Sequence, residues 1–120
     1  MTEKDTLVKL HETVAALNMM ADAANKQLKA AEVVLNQMNI GIEVMLEEPI
    51  MPGLQMAYAK DDEGSWHIVA VFEDELKRPF KMSMLNVARL VRIHAARKVP
   101  LLTAALLHAA EEQLAKATAP

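Results

Sequence analysis

The sequence predicts an α+β fold made of a long N-terminal coiled-coil-like helix, a three-stranded antiparallel meander and two C-terminal helices packed on the sheet. Three observations support this prediction. Residues 1–40 contain neither glycine nor proline, apolar residues begin to alternate at Ile40, and a second helical pattern follows Ser83. Helices and strands differ in this periodicity. The 120 residues are expected to form a single domain, 1–120, with segments 1–39, 40–75 and 83–117.

The N-terminal helix carries an apolar heptad repeat, which is typical of coiled-coil packing. Thr2 or Asp5 can serve as its N-cap, and Asn39 with Gly41 provides a stop signal. We call the two apolar columns together the seam. It runs through five heptads without a polar residue and consists of Leu7, Val14, Ala21, Leu28 and Leu35 in one column and Leu10, Leu17, Ala24, Ala31 and Met38 in the other.

The length of this helix predicts self-association. Residues 7–38 span roughly 48 Å as a helix, whereas a compact globule of this size is roughly 35 Å across. The helix ends should therefore project, so the seam is expected to form a homodimer or a higher even oligomer. Parallel and antiparallel pairing both remain open. The alternative is that the seam packs on the C-terminal helices of its own chain.

The middle of the chain shows the alternating pattern of strands. Apolar residues occupy every second position in 40–46, 54–59 and 66–72. The acidic segment 61–64 ends in Gly64 and predicts a hairpin turn between the second and third strands. Both faces of the third strand are largely apolar, so it is expected to lie in the middle of the sheet or to be covered on both sides.

Two helices are predicted in the last third of the chain. The first begins with Ser83 as N-cap and ends before Pro100, with Val99 outside helical geometry. Its predicted core face, with Leu90 at the margin, consists of Met84, Val87, Ala88, Val91 and Ala95. The second helix, 101–117, is apolar over most of its circumference and is expected to lie between two layers.

Charge is distributed unevenly along the chain. Residues 1–76 hold 14 acidic residues and five lysines, a net charge of −9, whereas residues 77–120 have a net charge of +6. All four arginines lie between Arg78 and Arg97, in a stretch without acidic residues. Such asymmetry indicates an electrostatic role. Either the basic half forms a face for a partner, or it docks on the acidic half within one chain or across a dimer.

The arginines of the first C-terminal helix are interleaved with apolar residues, a composition typical of interfaces. The alternative is an ordinary exposed face. The predicted partner-binding residues are Arg78, Lys81, Arg89, Arg92, Ile93 and Arg97.

Several kinds of chemistry lack sequence support. The chain has no cysteine, and its three glycines are too widely spaced for a phosphate-binding loop. Neither serine, Ser65 nor Ser83, lies in a G-x-S-x-G elbow. The acidic turn does not match a calcium loop, and a surface ion pair explains the helical spacing of His108 with Glu111 and Glu112 better than a metal site does. We therefore expect no enzyme activity, no metal and no cofactor.

The sequence also suggests where the protein resides. The start MTEKDTLVKL lacks the apolar core of a signal peptide. The longest apolar passage, 99–110, is too short to span a bilayer. We expect a cytoplasmic protein that does not associate with membranes.

Together these features predict a small non-enzymatic protein-interaction or assembly module, such as an adaptor, an accessory factor or an inhibitor. It would self-associate through the N-terminal helix and contact another protein through the arginine face. The alternative is a nucleic-acid-binding protein that uses the basic stretch 77–98. A pI near 5.8 and the presence of only one nearby aromatic residue, Phe80, favour protein interaction.

Overall fold

A computed structural model describes residues 2–120 and confirms the α+β fold. The molecule is elongated, with extents of 75 × 34 × 26 Å. It has four strands rather than the predicted three. The elements are α1 (Glu3–Gln37), β1 (Val44–Met45), β2 (Leu54–Lys60), β3 (Trp66–Glu73), β4 (Pro79–Ser83), a 3₁₀ turn (Met84–Asn86), α2 (Arg89–Arg97) and α3 (Val99–Thr118).

α1 begins with a capping box at Thr2. The Thr2 hydroxyl accepts a hydrogen bond from the Asp5 backbone N–H at 3.2 Å, and the Asp5 carboxylate accepts one from the Thr2 backbone N–H at 3.3 Å. Both groups would otherwise lack a partner at the helix start. The helix ends at Gln37, and Asn39 adopts a left-handed backbone conformation with φ 53°. These caps define an unbroken helix of 35 residues.

The seam of α1 is divided between the protein core and solvent. Ala21, Ala24, Leu28 and Leu35 are buried in the main core, which they share with residues of α2 and the sheet. Assigning these four residues to an oligomer interface was therefore wrong, because the chain's own elements already cover them. The small Ala21 and Ala24 side chains leave room for a second helix to approach closely. Ala31 is half-buried and Met38 is exposed.

The sheet is antiparallel in the order β1-β2-β3-β4. The predicted hairpin aligns Leu54 with Phe72 and Lys60 with Trp66. β1 is much shorter than the predicted strand 40–46. Asn39 and Gly41 both have positive φ, so the chain is not extended there and pairing with β2 begins only at Val44. β3 lies between β2 and β4, so its predicted central position is confirmed.

β4 is the strand that the sequence did not predict. It pairs with β3, and Phe80 stacks on Phe72 with ring centroids 5.0 Å apart. Its short length and its Pro79 are typical of edge strands. This segment is a strand because it pairs with β3.

The two faces of the sheet have different environments. Met56, Tyr58, Ile68 and Ala70 belong to the main core with the helices. The opposite face has a small separate cluster, formed by Ala57, Ala59 and Val69 with the half-buried Val71 packed against them. All three helices thus lie on the same side of the sheet.

The C-terminal helices begin elsewhere than predicted. Ser83 precedes the 3₁₀ turn, and α2 starts only at Arg89. Pro100 lies in the first turn of α3 rather than ending α2, a position where its missing N–H costs nothing. Only Leu102 and Leu106 of α3 are buried, so the expectation that this helix lies between two layers was wrong.

Candidate protein-interaction surfaces

The first half of α1 extends beyond the protein body. We call residues 3–17 the arm. Leu7 is 57% exposed, Leu10 is 55% exposed and Val14 is 36% exposed, while Leu17 is half-buried. These four residues are the part of the predicted oligomer interface that continues the buried seam into solvent.

The arm is exposed because the helix that covers the seam is short. α2 has nine residues and measures about 13 Å, against about 52 Å for the 35 residues of α1. The capping box at Thr2, the absence of glycine and proline, and continuity with the packed part of α1 all favour a helical arm. Stable helical structure with an uncovered apolar column is what a helix-pairing surface requires.

Arg89 and Arg92 contact their own chain. The Arg89 Nη1 donates to the Asn18 Oδ1 on α1 at 2.8 Å, and the Arg92 Nη1 donates to the Val87 carbonyl at 2.8 Å. The Arg92 Nε is buried without a hydrogen-bond partner. Ile93 is buried in the core. Its assignment to the partner-facing surface was wrong because α2 packs against the protein over a wide arc that also includes Val91 and Ala96.

The other predicted partner-binding cations, Arg78 and Lys81, lie away from α2. The Arg78 Nε pairs with Asp74 at 2.8 Å in the turn before β4. The Lys81 Nζ donates to the Lys60 carbonyl at 2.8 Å, and Lys81 aligns with Val71 on the helix-free side of the sheet. The basic residues therefore occupy separate parts of the molecule and do not form one continuous surface.

The outward side of α2 is formed by different residues. Leu90 is 49% exposed, His94 is half-buried and Arg97 is exposed. Their spacing of four and three residues places them on one side of the helix. Of the predicted partner-binding residues on α2, only Arg97 belongs to this outer face. Leu90 was predicted at the core margin because the predicted helix began five residues too early and its core face was located with Met84 and Val87, which precede α2.

An apolar groove lies between the end of α1 and the middle of α3. Its volume is about 570 Å³. The groove includes the seam residue Met38 together with Val34, Ile40, Leu106 and Leu107, and Thr103 is the single residue with a polar side chain in its lining. This groove was not predicted, because α3 was expected to be covered on both sides.

A polar cluster fastens α1 to the β2–β3 hairpin. Glu32 accepts a hydrogen bond from the Ile68 backbone N–H at 2.7 Å and lies 3.4 Å from the His67 ring, whose other nitrogen contacts Asp61 at 3.1 Å. Nearby, the Tyr58 hydroxyl donates to Asn36. These contacts position α1 on the sheet.

The pKa values of Tyr58 and Asp61 are shifted from their usual values. Burial and then the Glu32 carboxylate raise the pKa of Tyr58. The pKa of Asp61 is lowered chiefly by the hydrogen bond from the Ser65 backbone N–H, with a contribution from His67. Within residues 2–120, no serine or threonine hydroxyl hydrogen bonds to His67.

Residues 2–120 contain no group of three or more side chains arranged to hold a metal ion. None of the helices in that range combines the length and apolarity needed to cross a membrane. The predicted surface ion pair of His108 and Glu112 is confirmed at 3.1 Å.

Comparisons with known proteins identify no relative. No protein-family model matches the chain, and neither a curated protein nor a solved structure matches it significantly. The geometry of the arm, α2 and the groove is therefore the basis for a functional assignment.

Proposed function

We propose that the protein is a non-enzymatic interaction module that self-associates through the arm. The single observation that carries this proposal is the continuous seam, which is buried at Ala21, Ala24 and Leu28 and exposed at Leu7 and Leu10. Side chains of one column thus pack against α2 over one part of the helix and face solvent over the next. A second helix on the arm would continue the same packing.

The size of the arm sets the expected strength of association. The exposed strip is about 22 Å long and about 10 Å wide, a footprint on the order of 200 Å² on each chain. A standard stable interface buries about 800 Å² per partner. We therefore expect a reversible assembly whose population rises with protein concentration in the micromolar range or above.

We further propose that the outer face of α2 contacts a different protein. Leu90 and Arg97 place an exposed apolar side chain and an exposed cation on the same side of α2, two turns apart, and both residue types are common at interfaces. The nucleic-acid alternative has less support. Arg78, Lys81 and Arg89 have intrachain partners and lie on separate elements, so they do not form one track for phosphates.

Molar mass as a function of concentration tests self-association. Static light scattering should show the mass rising from one chain toward two, or a higher even number, between about 5 and 500 µM, the range set by the small interface. Leu10→Glu should keep the mass at one chain because association would bury an unpaired charge. Ala16→Glu is the matched control, since it adds the same charge on the far side of the arm. A single-chain mass throughout for the unmodified protein would contradict the proposal.

A further inference from the structure

From the position of α2 we infer that two arms pair antiparallel, with Leu7 facing Leu17 and Leu10 facing Val14 of the second copy. This inference rests on the proposed self-association and specifies its geometry. The sequence alone left both directions of pairing open. The structure distinguishes them through what lies next to the buried part of the seam.

A second helix on the arm must lie on the side of α1 that α2 covers further along. The exposed residues Leu7 and Leu10 and the buried residues Ala21 and Leu28 belong to the same two columns of the seam. α2 reaches α1 as early as Asn18, which accepts a hydrogen bond from Arg89 at 2.8 Å. The uncovered stretch therefore ends between Asn18 and the buried Ala21, and a covering helix has to end there too.

Parallel pairing conflicts with this arrangement. Two parallel helices would continue side by side past residue 18, so the second copy would enter the space that α2 occupies against Ala21 and Ala24. Both copies would have this conflict at the same end. Antiparallel pairing avoids it, because the rest of each chain runs away beyond the N-terminus of the other. Residues 6–18 of the two copies then face one another, and the helix start at Glu3 lies opposite Ala21, where the stretch covered by α2 begins.

The seam also selects a register. In antiparallel helix pairs, residues of one column face residues of the other. Placing Leu7 opposite Leu17 puts Leu10 opposite Val14, and twofold symmetry repeats both layers. A shift of one heptad in one direction leaves only Leu7 and Leu10 in contact. A shift in the other direction brings the second copy against α2. The proposed register uses all four seam residues of the arm.

The side chains flanking the paired strip carry no carboxylate, lysine or arginine. They are Thr6, His11, Thr13, Asn18 and Met20. The charged residues within 6–20 are Lys9 and Glu12, and both lie on the side of the helix away from the seam. Like charges therefore do not oppose the approach of an identical helix. This absence of flanking charge favours a second copy as the occupant of the arm.

Disulfide cross-linking tests the inference, since the chain has no cysteine of its own. Leu10→Cys and Val14→Cys variants are prepared separately, one with a C-terminal extension that makes the products distinguishable by mass. They are then mixed and oxidised mildly. Antiparallel pairing predicts that the mixed Leu10→Cys/Val14→Cys dimer forms at least several-fold faster than either self-linked dimer. Glu12→Cys is the control: it lies at the centre of the arm on the far side and should remain uncrosslinked.

Two outcomes would overturn the inference in distinguishable ways. Predominant self-linking of each single variant indicates parallel pairing and leaves the proposed self-association intact. Absence of any cross-link, together with a single-chain mass of the unmodified protein at 500 µM, about the upper end expected for a weak interface, removes the proposed function as well.

Discussion

At the scale of single residues, Asp61 combines a turn-capping role with an ionic contact. Its carboxylate accepts hydrogen bonds from the Glu63 and Ser65 backbone N–H groups at 2.9 Å each and contacts His67. These contacts lower the pKa of Asp61 in the folded state. A carboxylate with a depressed pKa stabilises the fold above its unfolded pKa, and this contribution is lost as the pH falls through the folded value.

We therefore expect the melting temperature of the unmodified protein to fall as the pH drops below about 4, the usual range of an aspartate. Asp61→Asn retains the turn hydrogen bonds but cannot ionise, so its melting temperature should depend less on pH in that interval. Asp62→Asn is the control, because Asp62 is exposed at the same turn. Parallel melting curves for Asp61→Asn and the unmodified protein would show that Asp61 makes no pH-dependent contribution.

The arginines of α2 also differ residue by residue. Arg92→Ala removes a hydrogen bond to the Val87 carbonyl and the packing of a half-buried side chain. We expect unfolding by urea to become easier by about 1 kcal/mol. Arg97→Ala removes an exposed side chain and should change stability by less than about 0.5 kcal/mol. Equal losses for the two variants would refute the assignment of Arg92 to the fold and of Arg97 to the surface.

At the scale of elements, α1 contains two regions with the same sequence pattern and different environments. Leu7 and Leu28 occupy the same column of the seam, but Leu7 is 57% exposed and Leu28 is 1% exposed. Leu28→Ala should lower the free energy of unfolding by about 2–5 kcal/mol, because it leaves a cavity in the core.

Leu7→Ala, the same substitution three heptads earlier, should change monomer stability by less than about 0.5 kcal/mol and weaken self-association. Urea denaturation at low micromolar concentration, where the monomer prevails, measures the first effect. Light scattering at high concentration measures the second. A large loss of monomer stability in Leu7→Ala would mean that the arm is covered by its own chain.

The sequence predicted α1 correctly but did not predict β4 or the start of α2. The heptad spacing of Leu7, Leu10, Val14 and Leu17 predicted the helix and its apolar face, because periodicity is a local property. It did not show where α2 would start, and that start divides the seam into buried and exposed parts. β4 was missed because pairing with β3 and stacking of Phe80 on Phe72 are tertiary contacts.

The prediction of the partner-binding residues failed for the same reason: local periodicity did not show where α2 begins. The predicted helix began five residues too early, so Met84, Val87 and Ala88, which precede α2, were used to locate its core face. Ile93 was therefore assigned to a partner and Leu90 to the core margin. Arg97 remained on the exposed side in both interpretations. The groove between α1 and α3 was not foreseen, since it depends on how far two distant helices separate.

At the scale of the whole molecule, the arm makes the protein unusually long for its size. Its longest extent is 75 Å, and the Cα radius of gyration is 17.9 Å, whereas about 14 Å is expected for a compact chain of this length. The projecting arm exposes Leu7, Leu10 and Val14 to solvent. We propose that a second copy covers these residues.

Small-angle X-ray scattering over a concentration series tests that claim most directly, because it reports mass and length together. Two molecules joined through their arms should double the mass and lengthen the particle to roughly 120 Å, since each 75 Å molecule overlaps the other by about 30 Å. Leu10→Glu should keep the mass and length of one chain. A doubled mass without this lengthening would show that the bodies associate instead of the arms. A constant mass up to the highest concentration would show that the arm does not pair with a second copy.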